Sequence, residues 1–259
     1  MVPSRASPAL NFCSRRSARS LTSSSSKERT VERKRRTIAY RRSALRALRC
    51  IIRRSRACGA RPYESGHPLK AVILAGGEGT RLRPLTLSVP KPVVPVVDRP
   101  FLRHQLDLLA TVGVREIVFS VAYQPERVQA VFGDGSGVGC RIHYAVEETP
   151  LGTGGAVKNA ERHLDDTTIV FNGDVLTDVD LAGVVRAHRE SGAQATLVLT
   201  PVPNPAAYGL VETDAGGRVT SFIEKPSDPS QITTDTINAG IYVLQTSTLA
   251  LMPTGVNHS

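Results

Sequence analysis

Lys70-Ala-Val-Ile-Leu-Ala-Gly-Gly-Glu-Gly-Thr-Arg-Leu-Arg-Pro84 is the stretch on which the fold turns. Its first half is an unbroken apolar run, Ala71 to Ala75, bounded by glycine and too short for a stable helix. That pattern reads as a buried strand. Its second half clusters Gly76, Gly77 and Gly79. A strand that empties into clustered glycines lets backbone N–H groups converge on a phosphate without side-chain interference. The two commonest loops of this kind do not fit. An ATPase-type loop ends in Gly-Lys-Ser/Thr, which is missing, and the dinucleotide fingerprint needs a third glycine where Leu82 stands. A lone glycine turn is equally compatible with a purely structural role. Arg81, Arg83 and then Lys91, the last held between Pro90 and Pro92, add cations beside the nest and tip the reading toward a triphosphate.

Working outward, the chain alternates strand and helix patterns. The spacing of Leu102, Leu106 and Leu109 predicts a helix over 101–112, and a strand follows over 116–122. A helix beginning at Pro125 comes next, then a strand over 141–146, a helix over 155–164 and a strand over 167–171 that ends in Asn172-Gly173-Asp174. A helix over 181–191 precedes β segments at 195–200, 209–213, 219–224 and 237–244, with Ala215-Gly216-Gly217 as a turn. Strands alternating with helices imply an α/β, Rossmann-like fold: a mainly parallel mixed sheet covered by helices on both faces. Ligands of such sheets bind at the carboxyl ends of the strands, where both the Gly76 loop and Asp174 fall.

The net charge of +10 over 259 residues is unevenly placed. Residues 1–66 hold 18 Lys+Arg against Glu28, Glu32 and Glu64, while the rest of the chain is net −5. The basic character belongs to this Ser- and Arg-rich extension, so the body at 67–259 is not expected to bind nucleic acid. The extension has too little apolar surface to fold and is expected to be disordered, apart from a candidate basic amphipathic helix near 44–52. Three readings of it stay open: a transit peptide, a basic arm for RNA or anionic lipid, and upstream sequence read from a misplaced start. No apolar run approaches the ~18 residues of a membrane span. The four cysteines form no Cys-x-x-Cys or zinc-ligand spacing, and a reducing, cytoplasmic setting is expected.

Gly76-Gly-Glu-Gly-Thr-Arg-Leu-Arg-Pro-Leu-Thr86 and Val89-Pro-Lys-Pro92 resemble the signature of the sugar-phosphate nucleotidyltransferases, and further blocks in the same order extend the resemblance from about 69 to 251. The resemblance implies attack of a sugar 1-phosphate on the α-phosphorus of a nucleoside triphosphate, with release of pyrophosphate. It implies that Leu74, Ala75 and the Gly76–Thr80 backbone (Gly76, Gly77, Gly79, Thr80) bind the nucleotide together with Gly152. Arg81 is expected to neutralise the departing pyrophosphate, and Lys91 to hold the phosphates at the reacting centre. Asn172-Gly173-Asp174 resembles the metal motif, with Asp174 holding Mg²⁺. Tyr208-Gly209, Ile223-Glu224-Lys225-Pro226 and Ile237-Asn238-Ala239-Gly240 resemble the sugar-phosphate block. There Lys225 would take the phosphate, Glu224 and Asn238 the hydroxyls, and Gly209 would permit close approach.

In Glu147-Glu148-Thr-Pro-Leu-Gly152 the expected base reader is Glu148, or Glu147. A carboxylate accepts from the adjacent N1–H and N2–H donors of guanine, whereas an amide suits a pyrimidine. This block resembles the branch that pairs GTP with mannose 1-phosphate. The same chemistry with dTTP or UTP and glucose 1-phosphate is the alternative, as is a non-catalytic nucleotide-sugar sensor. The resemblance further implies a homo-oligomer for the complete protein. Family members also carry a later αβ segment with a second metal-binding Asp, and many add a β-helix. Neither lies within these 259 residues, so a C-terminally truncated form of the fold is expected.

Overall fold

The computed structural model describes residues 69–258, and the basic extension with its candidate helix lies outside them. The strands in chain order are β1 (Lys70–Leu74), β2 (Pro95–Val96), β3 (Arg99–Pro100), β4 (Glu116–Val121), β5 (Arg141–Val146), β6 (Thr167–Asn172), β7 (Ala195–Pro201), β8 (Gly209–Thr213), β9 (Val219–Glu224) and β10 (Thr236–Gln245). The helices are α1 (Leu85–Ser88), α2 (Phe101–Thr111), α3 (Pro125–Phe132), α4 (Gly152–Asn159) and α5 (Leu181–Ser191). Among the described residues no helix is long and apolar enough to cross a membrane.

One sheet runs β5-β4-β1-β6-β10-β8-β9, with β7 also paired to β10. The half from β5 to β6 is parallel, and β10 joins β6 antiparallel to start the second half. The strand period of two sorts the side chains to opposite faces. Ala71, Ile73, Ile117, Phe119, Ile169 and Phe171 pack under α2, α3 and α5. Val72, Val118 and Val170 pack on the other face against Val157 and Ala160 of the α4 region and Leu249. Phe119 anchors the first layer, edge-on to Phe132 at 5.4 Å and to Tyr144 at 5.8 Å. Burying each such large side chain contributes about 1.5–3 kcal/mol.

The chain leaves β1 for β4 and β5 on one side and returns to β6 on the other. Strand order therefore reverses beside β1, and a crevice opens there at the carboxyl ends, where such sheets hold ligands. Two elements differ from the sequence reading. The β2–β3 ribbon, turning through Val97 and Asp98 at positive φ (51° and 59°), lacks the glycines that mark such turns and was not expected. The helix expected over 155–164 starts at Gly152 and stops at Asn159, followed by a 3₁₀ turn Glu161–His163. Glycine-poor propensity would start it later. The Val256–His258 backbone overrides this by lying directly on the first turn: a Cβ on Gly155 would meet Val256 O at 2.5 Å, and one on Gly152 would meet His258 O at 2.4 Å. Gly154 N–H donates to His258 O at 2.9 Å.

Candidate active site

A cavity of about 320 Å³ occupies the crevice. Leu74, Ala75, Gly76 and Gly77 bring the end of β1 to it, Ala122 the end of β4, Glu147 the end of β5, and Asn172, Gly173 and Asp174 the end of β6. Gly152, Thr153 and Ala156 of α4, with Lys91, Pro92 and Pro150, complete the wall. The strand-end placement expected for the Gly76 loop and Asp174 is observed, and Leu74, Ala75, Gly77, Lys91 and Gly152 line the same cavity.

The glycines of the nest serve different ends. A Cβ on Gly77 would meet no atom within 4 Å, so its absence keeps space open at the cavity wall. A Cβ on Gly76 would crowd Glu147 Oε1 at 3.3 Å and Ala122. Gly79 is left-handed (φ 65°), and a Cβ there would press on Thr86 Cγ2 at 3.0 Å and Lys91 Cβ at 3.3 Å. Buried Thr86 donates its hydroxyl to Gly79 O at 2.8 Å and ties the loop down. Thr80 and Arg81 begin the exposed turn after the nest and do not line the cavity; Arg81 forms no ion pair with another described residue. Arg83 pairs with Glu78 at 3.0 Å, but both are about half exposed, so the pair contributes little.

Lys91 Nζ donates to Asp174 Oδ2 at 2.8 Å, joining residues far apart in sequence at the cavity edge. The lysine is the more buried partner, with 25% of its side chain exposed against 46% for the aspartate. Asp174 occupies a turn in which Val175 N–H donates to Asn172 O and Gly173 N–H to Leu74 O. Gly173 is required there, because a Cβ would lie 2.5 Å from Leu74 O. Asp180, downstream, accepts from Gly183 N–H and caps α5, as its position suggested.

Of the acidic pair, Glu147 and not Glu148 lines the cavity. Glu147 is 9% exposed, with Oε1 accepting from the Ser120 hydroxyl at 2.7 Å and Oε2 from Leu151 N–H at 3.0 Å. Glu148 is exposed. Alternation explains the difference: Val146 points outward from edge strand β5, so the next residue turns inward.

The residues expected to face the sugar form a second cluster around β8, β9 and β10. Gly209 pairs with Glu224, and a Cβ on it would meet Glu224 Oε2 at 2.8 Å. Lys225 N–H donates to Tyr208 O at 3.3 Å, and its side chain is mostly exposed. Asn238 donates to the Tyr242 hydroxyl at 2.7 Å and accepts from Gly240 N–H at 3.0 Å across a bulge in β10. Burial pushes the Tyr242 phenol up and the nearby Glu224 charge adds to this, against the opposing Asn238 hydrogen bond. Gly240 (φ 73°) leaves room for Asn172, whose Nδ2 lies 2.6 Å from where a Cβ would be, so this cluster adjoins the Asp174 turn.

Asp174 is a hard oxygen donor of the type that suits Mg²⁺, which retains water and substrate oxygens in its other positions. Among the described residues no group of three or more His, Cys, Asp or Glu could hold a metal alone. Asp174 on its own can contribute one such ligand.

Comparison with known proteins adds an independent line. Residues 70–256 match the nucleotidyl transferase family. The chain is 47% identical over 190 residues to a mannose-1-phosphate guanylyltransferase of Mycobacterium tuberculosis, an alignment covering 73% of this chain and 52% of that protein. It is 36% identical over 201 residues to a UTP–glucose-1-phosphate uridylyltransferase of Synechocystis, covering 72% and 52% respectively. The crystal structure of HddC from Yersinia pseudotuberculosis complexed with GMP-PN is similar with a TM-score of 0.60 and 30% identity, over 71% of this chain and 80% of that one. The chain spans about half the length of the curated relatives it matches. A glycine nest at the switch point, a lysine paired with a carboxylate in the same cavity, and a match running through nearly all the described residues agree: this chain belongs to the nucleotidyl transferase family.

Proposed function

We propose that this chain transfers a guanylyl group from GTP to mannose 1-phosphate, giving GDP-mannose and pyrophosphate. The observation that carries the reading is the Lys91–Asp174 pair, set at 2.8 Å in the wall of the same cavity that the Gly76–Gly77 backbone lines. A nest, a cation and a hard carboxylate converging at one switch point are what binding a triphosphate requires.

The sugar phosphate oxygen attacks the α-phosphorus, the bond from that phosphorus to the bridging oxygen of the β-phosphate breaks, and pyrophosphate leaves with the electron pair. A phosphate monoester dianion is already nucleophilic, so the protein supplies position and charge rather than a general base. The Gly76 and Gly77 backbone holds the phosphates from the cavity wall, Gly79 and Thr80 meet them from the turn beyond it, and Lys91 neutralises charge at the reacting phosphorus. Arg81, on the turn beyond the nest, meets the outer phosphates. Asp174, together with substrate oxygens, would hold a Mg²⁺ ion, which would neutralise charge on the triphosphate. Lys225 takes the sugar phosphate, while Glu224, Asn238 and the open backbone at Gly209 orient the sugar. For the base, the carboxylate argument rests on Glu147, since it faces the cavity and Glu148 does not; a carboxylate engaged by Ser120 and Leu151 still has lone pairs to accept guanine donors.

The likeness to a uridylyltransferase supports a second reading, the same chemistry with UTP or dTTP and glucose 1-phosphate. The proposal includes a cytoplasmic location, a homo-oligomeric complete protein, and a division into the 1–66 extension and a catalytic body at 67–259. Pyrophosphate release measured with GTP, ATP, UTP and dTTP against mannose and glucose 1-phosphate tests it. The fastest turnover is expected for GTP with mannose 1-phosphate, and a preference for a pyrimidine triphosphate with glucose 1-phosphate would overturn it.

A further inference from the structure

Gln105 lies on α2, is 2% exposed, and does not itself line the cavity. Its Nε2 donates to Asn172 O at 2.9 Å and to Val175 O at 2.7 Å. Those two carbonyls are the first and last of the turn that carries Asp174. Both partners are acceptors, so the amide must present its NH₂ to them; the flipped amide would set oxygen against oxygen. The Oε1 is left buried with no partner. An unpaired buried acceptor is a cost that an apolar side chain of the same size would avoid. The amide is therefore there for its two donors.

The same helix reaches the other half of the ion pair. Phe101 N–H, one turn before Gln105, donates to Val94 O at 3.0 Å, and Val94 N–H closes the 3₁₀ turn onto Lys91 O at 3.2 Å. Phe101 and Gln105 are four residues apart and so lie on one face of α2. A single rigid helix thus fastens the Lys91 turn at its start and the Asp174 turn one turn later.

We propose that Gln105 is a positioning residue: by stapling both ends of the Asn172–Val175 turn to α2, it fixes the Asp174 carboxylate opposite Lys91. The inference rests on the reading of Lys91 and Asp174 as the phosphate- and metal-binding pair, and its own content is the position of the turn.

The test is Gln105→Met in the full chain, which keeps volume and removes both donors. Hydrogen exchange of a peptide covering 172–177 is expected to quicken at least tenfold, with the 167–171 segment unchanged. In turnover with GTP and mannose 1-phosphate, kcat is expected to fall at least tenfold while the KM for GTP stays within twofold. A merely structural residue would quicken exchange throughout β6 as well, and that result overturns the proposal, as does unchanged exchange at 172–177. Loss expressed in KM alone also overturns it. If Gln105→Met does not fold, Gln105→Asn, one methylene too short to span both carbonyls, is read by the same exchange criterion. Should the wild-type chain show no turnover, the enzymatic reading fails, while the exchange measurement still decides whether Gln105 holds the turn.

Discussion

Lys91 and Asp174 are each other's nearest opposite charge, yet both are open to the cavity, so a bound phosphate can take the lysine and a metal the carboxylate. Lys91→Ala and Asp174→Asn should each lower kcat at least a hundredfold. Their melting temperatures should stay close to wild type, since a partly exposed pair contributes at most about 1 kcal/mol to stability. Steady-state turnover beside thermal unfolding checks both parts. Gly77 gives a second test at this scale. Because a Cβ there enters open space, Gly77→Ala should cost no more than about 0.5 kcal/mol of stability, but it places a methyl where the phosphates approach and should weaken GTP binding by calorimetry. On base choice, Glu147→Gln should shift the preference from GTP toward UTP by about tenfold, in the range of one lost bidentate base contact. Glu148→Gln should change it by less than twofold. Equal effects from the two glutamates would remove the carboxylate argument.

At the scale of elements, the legible parts were those whose burial follows a clean period. Strand β1, helix α5 and the β8–β9 hairpin fall where the hydrophobic spacing and turn glycines put them. The β2–β3 ribbon was missed because its turn at Val97 and Asp98 carries no glycine, and helix α4 because its start is set by long-range backbone contact. Helix α4 begins among three glycines because the Val256–His258 backbone, over a hundred residues later, lies on them. The site shows the same division. Its glycine nest and Lys91 were readable from local sequence, and Asp174 from its place at a strand end and its resemblance to the family motif; Gly76, Gly77, Lys91 and Asp174 line the cavity. The choice of Glu147 over Glu148 depends on which side chain faces inward at a sheet edge. Gln105 carries no motif at all, and only the fold brings it to the Asp174 turn. Tertiary placement of that turn predicts a contrast with Gly77. Gly173→Ala drives a methyl against the Leu74 carbonyl, and this should destabilise the fold by about 1–3 kcal/mol, seen as a lower midpoint in urea.

For the whole molecule, two histidines with pKa values lowered by burial, His163 and His188, govern stability just below neutral pH, and the more buried is His188. It is fully buried, its Nδ1 lies 2.8 Å from Thr196 Oγ1 and its Nε2 3.1 Å from the Gln245 amide nitrogen. The amide donates, so Nε2 accepts and the ring is neutral. Burial, with the Arg189 charge adding to it, holds its pKa below the ordinary 6.5. Between the two values the unfolded chain binds more protons than the folded one, so stability is lost as pH falls below about 6.5. Asp134 and Asp228 have lowered values and act in a separate window, below their ordinary 3.8. The melting temperature should therefore drop between pH 7 and 5, and the drop should shrink in His188→Gln.

The measurement that bears most directly on the account is pyrophosphate release from GTP as mannose 1-phosphate is titrated, with wild-type and Lys91→Ala chains compared at matched folded fraction. The account predicts release that requires both substrates and falls at least a hundredfold in Lys91→Ala. Release independent of mannose 1-phosphate, or equal rates in the two chains, would contradict it.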